Sequence, residues 1–177
     1  MTTHHFEGRR VLFLDDDSRW LRILEKWFDG APYDCVFFDS PFAALQEIEK
    51  NPVDVIVTDM SMPVVDGLNV LNVARSKSPD SIRIVMSGHL DISKAIEAIN
   101  KGEIFRYIVK PCENKDVKYA VYQALLKVDQ RESASRRAKE SSRIKTQRIK
   151  KMARSISDLE SCVSAAHDCL INIFQEV

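Results

Sequence analysis

The sequence predicts an α/β fold, a doubly wound five-stranded parallel sheet followed by a long helical extension. Three observations carry this. Short β-rich apolar runs alternate strictly with helical patterns through the first 128 residues, and such alternation builds a parallel sheet with helices on both faces. The runs VLFL and VIV are almost continuously apolar, as strands buried on both sides are. No Gly or Pro occurs after Pro111, so nothing obliges the last helical pattern to break.

The expected strands are Val11–Leu14, Cys35–Phe38, Val53–Thr58, Ile82–Met86 and Tyr107–Val109. Between them lie residues at helical spacing. Trp20, Leu21, Leu24, Trp27 and Phe28 mark the first helix, closed by Gly30; Phe42, Leu45 and Ile48 mark the second; Leu68, Leu71 and Val73 mark the third. Ile92, Ala95, Ile96 and Ile99 mark the fourth, with Asp91 placed to cap it and Gly102 just past its end. Val117, Ala120, Val121, Ala124 and Leu125 open the fifth.

Charge separates the chain into two parts. The 26 basic and 26 acidic side chains cancel, which removes any pointer from net charge towards nucleic acid or an acidic membrane. Residues 1 to 128 nevertheless carry 16 Lys/Arg against 19 Asp/Glu, while residues 129 to 177 carry 10 against 7. Cys35, Cys112, Cys162 and Cys169 show no zinc spacing and read as ordinary thiols of a reducing cytosol. The start, MTTHHFEGRR, lacks the apolar region of a signal peptide, and no stretch approaches the roughly 18 apolar residues of a membrane span. A soluble, cytoplasmic protein is expected.

In doubly wound sheets, ligands sit at the carboxyl ends of strands. Those ends are unusual here. The first strand runs into Asp15, Asp16 and Asp17, and the third into Asp59 and then MSMPVVDG. The fourth ends on Ser87-Gly88-His89 and the fifth on Lys110-Pro111. The first, third and fourth strands are expected to be neighbours, so their ends converge. Crowded carboxylates repel, and a divalent cation relieves them; all-oxygen donors describe Mg²⁺ better than Zn²⁺. A carboxylate beside Mg²⁺ can attack phosphorus, which gives Asp59 a role, with Lys110 and Ser87 as countercharge and hydroxyl for the phosphoryl oxygens. A lone Asp after a strand is an ordinary turn former or helix cap. The joint arrangement is far more specific.

With these motifs (VLFLDDD, DVIVTDMSMPVVDG, IVMSGH and YIVKP) the sequence resembles the receiver domains of response regulators over residues 9 to 128. The resemblance implies a flavodoxin-like receiver fold in which Asp15 and Asp16 help hold Mg²⁺, Asp59 accepts phosphate, and Ser61 offers its backbone carbonyl to the metal. It implies that Ser87 contacts the phosphoryl group, that Lys110 forms its ion pair, that Pro111 follows a cis peptide bond and that Tyr107 is an aromatic switch. Asp17 stands where many relatives have Glu. Ser61 and His89 occupy positions that tune dephosphorylation in the family. The implied partner is a sensor histidine kinase or phosphotransfer protein. The implied output is a change in the face formed by the fourth helix, fifth strand and fifth helix.

The remainder is expected as a basic helical linker over 129–148 and a heptad segment over 149–177. Ile149, Ile156, Val163, Leu170 and Val177 take one seam position; Met152, Leu159, Ala166 and Ile173 take the other. Four heptads at this spacing suit a homodimeric coiled coil or bundle better than a helix folded back on the receiver. His167 lies beside the seam without a phosphotransfer motif around it, and Cys162 and Cys169 flank the seam. A basic stretch leading into heptads also has the layout of a DNA-binding zipper. The asparagine-containing contact motif is missing from SASRRAKESSRIKTQRIKK, so nucleic acid is disfavoured and a solvated basic helix is expected.

Three functional readings follow. One is a response-regulator receiver whose C-terminal helix mediates dimerisation or relays phosphorylation. The second is the regulatory front of an enzyme: AINKGEIFRYIVKPCENKDV is similar to receivers that precede cyclic-di-GMP phosphodiesterase (HD-GYP) domains. No hydrolase motif is present, so that enzyme would lie beyond residue 177. The third is a stand-alone receiver acting by protein contact.

Overall fold

The computed structural model describes residues 6–63, 65, 67–88 and 104–175, with the backbone alone for Leu68, Glu160 and residues 165–175. The elements are β1 (Arg10–Leu14), α1 (Ser18–Phe28), β2 (Asp34–Phe38), α2 (Pro41–Lys50), β3 (Val55–Asp59), α3 (Gly67–Lys77), β4 (Ile82–Ser87), β5 (Arg106–Val109) and α4 (Asn114–Gln175). The fourth helical segment expected from sequence, with Asp91, Gly102 and His89, lies outside the described residues.

All strands pair in parallel in the order β2-β1-β3-β4-β5. Successive residues of a strand face opposite sides of the sheet, and here both sides are core. Val11 and Phe13 of β1 join a cluster with Leu24 and Phe28 of α1 and Val121 and Leu125 of α4. Leu12 and Leu14 join another with Ala44 and Ile48 of α2 and Val70 and Leu71 of α3. That division is the structural meaning of the continuous apolar runs. Phe13, fully buried, stacks on Phe37 at 4.9 Å and meets Phe28 at 4.7 Å.

Local chemistry sets the helix starts. The Asp17 side chain accepts from the Arg19 N–H and caps α1. Ser40 accepts from the Ala43 N–H and caps α2, with Pro41 in its first turn. Gly30, at φ 71°, takes the left-handed position after α1. Two apolar residues at helical spacing are not core: Phe42 and Val73 are exposed, because the buried stripes of α2 and α3 run through Ala44 and Ile48 and through Val70, Leu71 and Ala74. β3 begins two residues later than the apolar run suggests. Val53 is buried outside the ladder, where its carbonyl accepts from the Ser81 hydroxyl.

The chain divides into two units after Gln130. In the first, Val117, Ala120, Val121, Ala124, Leu125 and Val128 of α4 are buried against the sheet. Arg9 ties this unit together, donating to Asp54 at 3.0 Å and to Asp129 at 2.6 Å. In the second unit, helix continues from Arg131, and its described side chains are exposed except for the half-buried Glu132. Ile149, Met152, Ile156, Leu159 and Val163 are 56–69% exposed. The side chains of Ala166, Leu170 and Ile173, and all of Val177, lie outside what is described. Among the described residues no helix is long and apolar enough to cross a membrane.

Candidate functional site

The parallel register brings the chemistry together. Leu14 pairs with Thr58, Asp59 with Met86, and Ser87 with Val109. Asp15, Asp59, Ser87 and Lys110 therefore share the carboxyl edge of four adjacent strands, from positions up to 95 residues apart in sequence. The backbone knits this edge: the Met60 N–H donates to the Met86 carbonyl and the Lys110 N–H to the Ser87 carbonyl.

Asp15 and Asp59 are 1% and 5% exposed. The Lys110 ammonium lies between them, donating to Asp15 Oδ2 at 2.6 Å and to Asp59 Oδ1 at 2.7 Å. The other oxygen of each carboxylate is held by backbone. The Asp17 N–H donates to Asp15 Oδ1 at 3.1 Å, and the Ser61 N–H to Asp59 Oδ2 at 2.7 Å. Charge-assisted bonds of this length are the strong ones. Burial raises the Asp15 carboxyl above the usual carboxylate value, and the hydrogen bond and charge of Lys110 offset this only in part. Burial alone lowers the Lys110 ammonium, but the hydrogen bonds and charges of Asp15 and Asp59 outweigh it and hold it above the ordinary lysine value. Two buried carboxylates against one ammonium leave the pocket short of positive charge.

The other expected residues are placed as follows. Asp16 is exposed at the rim. Among the described residues no three His, Cys, Asp or Glu side chains gather in metal-ligating geometry. Asp15 and Asp59 instead share Lys110, the cation the chain itself provides. Ser87 is fully buried at the end of β4. Tyr107 is half-buried, with its hydroxyl 3.9 Å from Met60 Sδ, one residue beyond Asp59. The Lys110–Pro111 peptide bond is cis.

Two neighbours of the site escape sequence reasoning. Gly67, which opens α3, donates its N–H to the Met60 carbonyl at 3.0 Å and has no room for a side chain against the Asp59 carbonyl. It closes the DVIVTDMSMPVVDG motif, but the motif does not say which atoms it approaches. Trp20, on the first turn of α1, sets its ring 5.6 Å from the Lys110 ammonium. A tryptophan so soon after an acidic run was its signal, but core packing explained it equally well.

The donors fit a hard divalent cation. They are oxygens throughout, two of them on buried carboxylates whose negative charge exceeds that of their single ammonium.

Residues 11–122 match the family model of the response regulator receiver domain. The DNA-binding transcriptional regulator NtrC of Escherichia coli (strain K12) is 33% identical over 101 residues, which are 57% of this chain and 21% of that protein. The chain thus spans about a fifth of the length of the curated relatives it matches. Among solved structures, one described as the adenylate cyclase from Rhodopirellula baltica superposes with a TM-score of 0.71 at 33% identity, covering 75% of this chain and 98% of that one. The signal receiver domain of an HD domain-containing protein from Pseudomonas fluorescens Pf-5 gives a TM-score of 0.65 at 28% identity, covering 70% and 99%.

Proposed function

The chain belongs to the response regulator receiver family, and on that premise we propose that Asp59 is its phospho-acceptor and that the aspartyl-phosphate switches the protein. Response regulators interact with histidine kinases or phosphotransfer proteins, and receiver domains generally bind Mg²⁺ at their acidic pocket. In this chain Asp15, Asp16, Asp59 and the Ser61 carbonyl would hold the ion. When bound, it supplies charge neutralisation and orientation for the phosphoryl oxygens.

The single observation that carries the reading is Lys110 held between Asp15 and Asp59. An oxygen of the Asp59 carboxylate forms the new bond to phosphorus as the bond to the donor breaks, and that electron pair leaves with the donor group. Lys110 then exchanges a carboxylate oxygen for a phosphoryl oxygen, and Ser87 turns its hydroxyl to another. The product adds about −1.5 to −2 charge to the pocket. Movement of Ser87 opens space for Tyr107, and the surface of β5 and the start of α4, with the fourth helix expected from sequence, responds.

The output is proposed to run through residues 149–177. The described seam residues Ile149, Met152, Ile156, Leu159 and Val163 are exposed, which suits association with a second copy, so the protein acts as a cytoplasmic homodimer with 9–128 as the receiver, 129–148 as linker and 149–177 as coil. A second reading makes this receiver the regulatory part of an enzyme, such as a cyclic-di-GMP phosphodiesterase. It is supported by likeness to the receiver of an HD domain-containing protein. DNA binding through the basic helix is the weakest reading, because that helix lacks a contact motif.

Incubation with Mg²⁺ and acetyl phosphate, followed by intact-mass measurement, tests the assignment. One added phosphoryl group is expected on the native chain and none on Asp59→Asn. An Asp59→Asn protein that is labelled as fast as the native one refutes it.

A further inference from the structure

Lys110 has a third neighbour besides its two carboxylates. Its ammonium sits 5.6 Å from the centroid of the Trp20 ring, within reach of the attraction between a cation and an aromatic face. The ring itself is well fixed. It meets Trp27 edge-on, with centroids 5.3 Å apart and planes at 82°. It also packs on the core cluster that holds Phe13 and Leu24. The indole Nε1 is buried and makes no hydrogen bond among the described residues. The ring is therefore held by packing and by Lys110, and its N–H contributes no anchor.

We propose that Trp20 is a positioning residue that keeps the Lys110 ammonium at the pocket while its carboxylate partners are exchanged. The proposal rests on the phosphoryl-transfer reading above. In the resting structure Asp15 and Asp59 hold Lys110 directly. During transfer Asp59 is committed to phosphorus, and Asp15 is needed for the bound cation. Both anchors are then weakened together. The side chain of Lys110 is 21% exposed, and an ammonium on a flexible four-carbon stem is strongly hydrated. Without a further hold it swings outward. The face of Trp20 is consumed by neither partner exchange, so it bridges the interval.

The expected signature separates this role from plain packing. Trp20→Phe keeps an aromatic face and loses no hydrogen bond, since Nε1 makes none. Trp20→Leu keeps apolar bulk and loses the face. Phosphorylation by acetyl phosphate with Mg²⁺ should slow roughly three- to thirtyfold in Trp20→Leu, the span of a cation–π contact converted to a rate. It should stay close to native in Trp20→Phe, with Tm recorded for both. In a Lys110→Met background, Trp20→Leu should cause no further loss of rate. Equal losses in the Leu and Phe variants, or a Leu effect that persists without Lys110, overturn the proposal.

A second measurement needs no phosphodonor. Trp20 and Trp27 are the chain's two tryptophans, so Trp27→Phe isolates the emission of Trp20. Adding Lys110→Met should shift that emission, and an unchanged spectrum sinks the contact. If the native protein takes no phosphate, the phosphoryl-transfer reading falls. The emission change alone then decides whether Trp20 holds Lys110.

Discussion

Replacing Gly67 with alanine puts a methyl group where the backbone of the proposed nucleophile already lies. A Cβ built at Gly67 falls 2.0 Å from the Asp59 carbonyl oxygen, 2.9 Å from its carbon and 3.1 Å from Met60 Cα. Ordinary contact begins near 3.4 Å, so the two segments must part by about 1.4 Å. The three nearest obstructing atoms are all main chain, so no flexible side chain can yield to relieve them. The movement strains the Gly67 N–H bond to the Met60 carbonyl and the Ser61 N–H bond to Asp59. Overpacking of this kind costs roughly 1–3 kcal/mol, and a fall in Tm of roughly 5–15 °C follows for a domain of this size. Misplacing a reacting group by about 1 Å costs on the order of 100-fold in rate. The assay is the initial rate of aspartyl-phosphate formation from acetyl phosphate with saturating Mg²⁺, beside calorimetry of the same samples. Gly88→Ala is the control, since a Cβ there meets nothing within 4 Å among the described residues. A Gly67→Ala protein with native rate and native Tm would refute the close approach and the reasoning built on it.

Arg9→Ala removes the shared cation of Asp54 and Asp129 and should destabilise the receiver by about 2 kcal/mol in urea titrations. Arg19→Ala, at a surface pair, should leave the transition where it is. Leu159→Asp together with Ile156→Asp should shift sedimentation from dimer to monomer without moving the receiver's Tm, because both side chains are exposed in the single chain; an unchanged sedimentation coefficient removes the coiled coil. Burial pushes the Cys35 thiol up from 9.0 to about 12, with the Asp34 charge adding to it, and burial also raises the Tyr33 phenol. The unfolded chain therefore gives up these protons first, so stability is intact below pH 9 and declines as pH rises from there towards 12. Denaturant midpoints measured at pH 7.5, 9 and 10.5 should fall across the last two, and a flat profile contradicts the burial of these groups.

The fold was readable because its strands are short, apolar and separated by helical spacing, and because parallel sheets bury both faces. Residues at the ends of β1, β3, β4 and β5 can be grouped from sequence, since the expected neighbour relation of the first, third and fourth strands is the one observed. Exposure within helices was less readable. Phe42 and Val73 fit a helical stripe as well as Ala44 and Val70 do, and only the angle at which α2 and α3 lie on the sheet decides which are buried. Gly67 and Trp20 show the same limit at the site. Neither the spacing of a glycine from an aspartate nor the presence of an indole on α1 says which atom it approaches. That information is carried by the path of the chain after β3 and by the roll of α1.

The resting hydrogen bonds also bear on which oxygen reacts. Asp59 Oδ2 and Asp15 Oδ1 are bound by the N–H groups of Ser61 and Asp17, which belong to the main chain and move only with it. Asp59 Oδ1 and Asp15 Oδ2 are bound by one ammonium at the end of a rotatable side chain. A single movement of Lys110 therefore uncovers one oxygen on each carboxylate while the other stays fixed. In the phosphoryl-transfer reading, Oδ1 of Asp59 is then the oxygen that attacks, and Oδ2 keeps the carboxylate from turning as it does so. Lys110→Arg would test this division of labour. A planar, five-donor guanidinium can bridge both carboxylates but cannot pivot within the pocket from a carboxylate oxygen to a phosphoryl oxygen as a compact point charge can. Phosphorylation should consequently slow much more than Tm falls, and a variant that loses stability but keeps its rate would show that this exchange of partners by Lys110 does not gate the reaction.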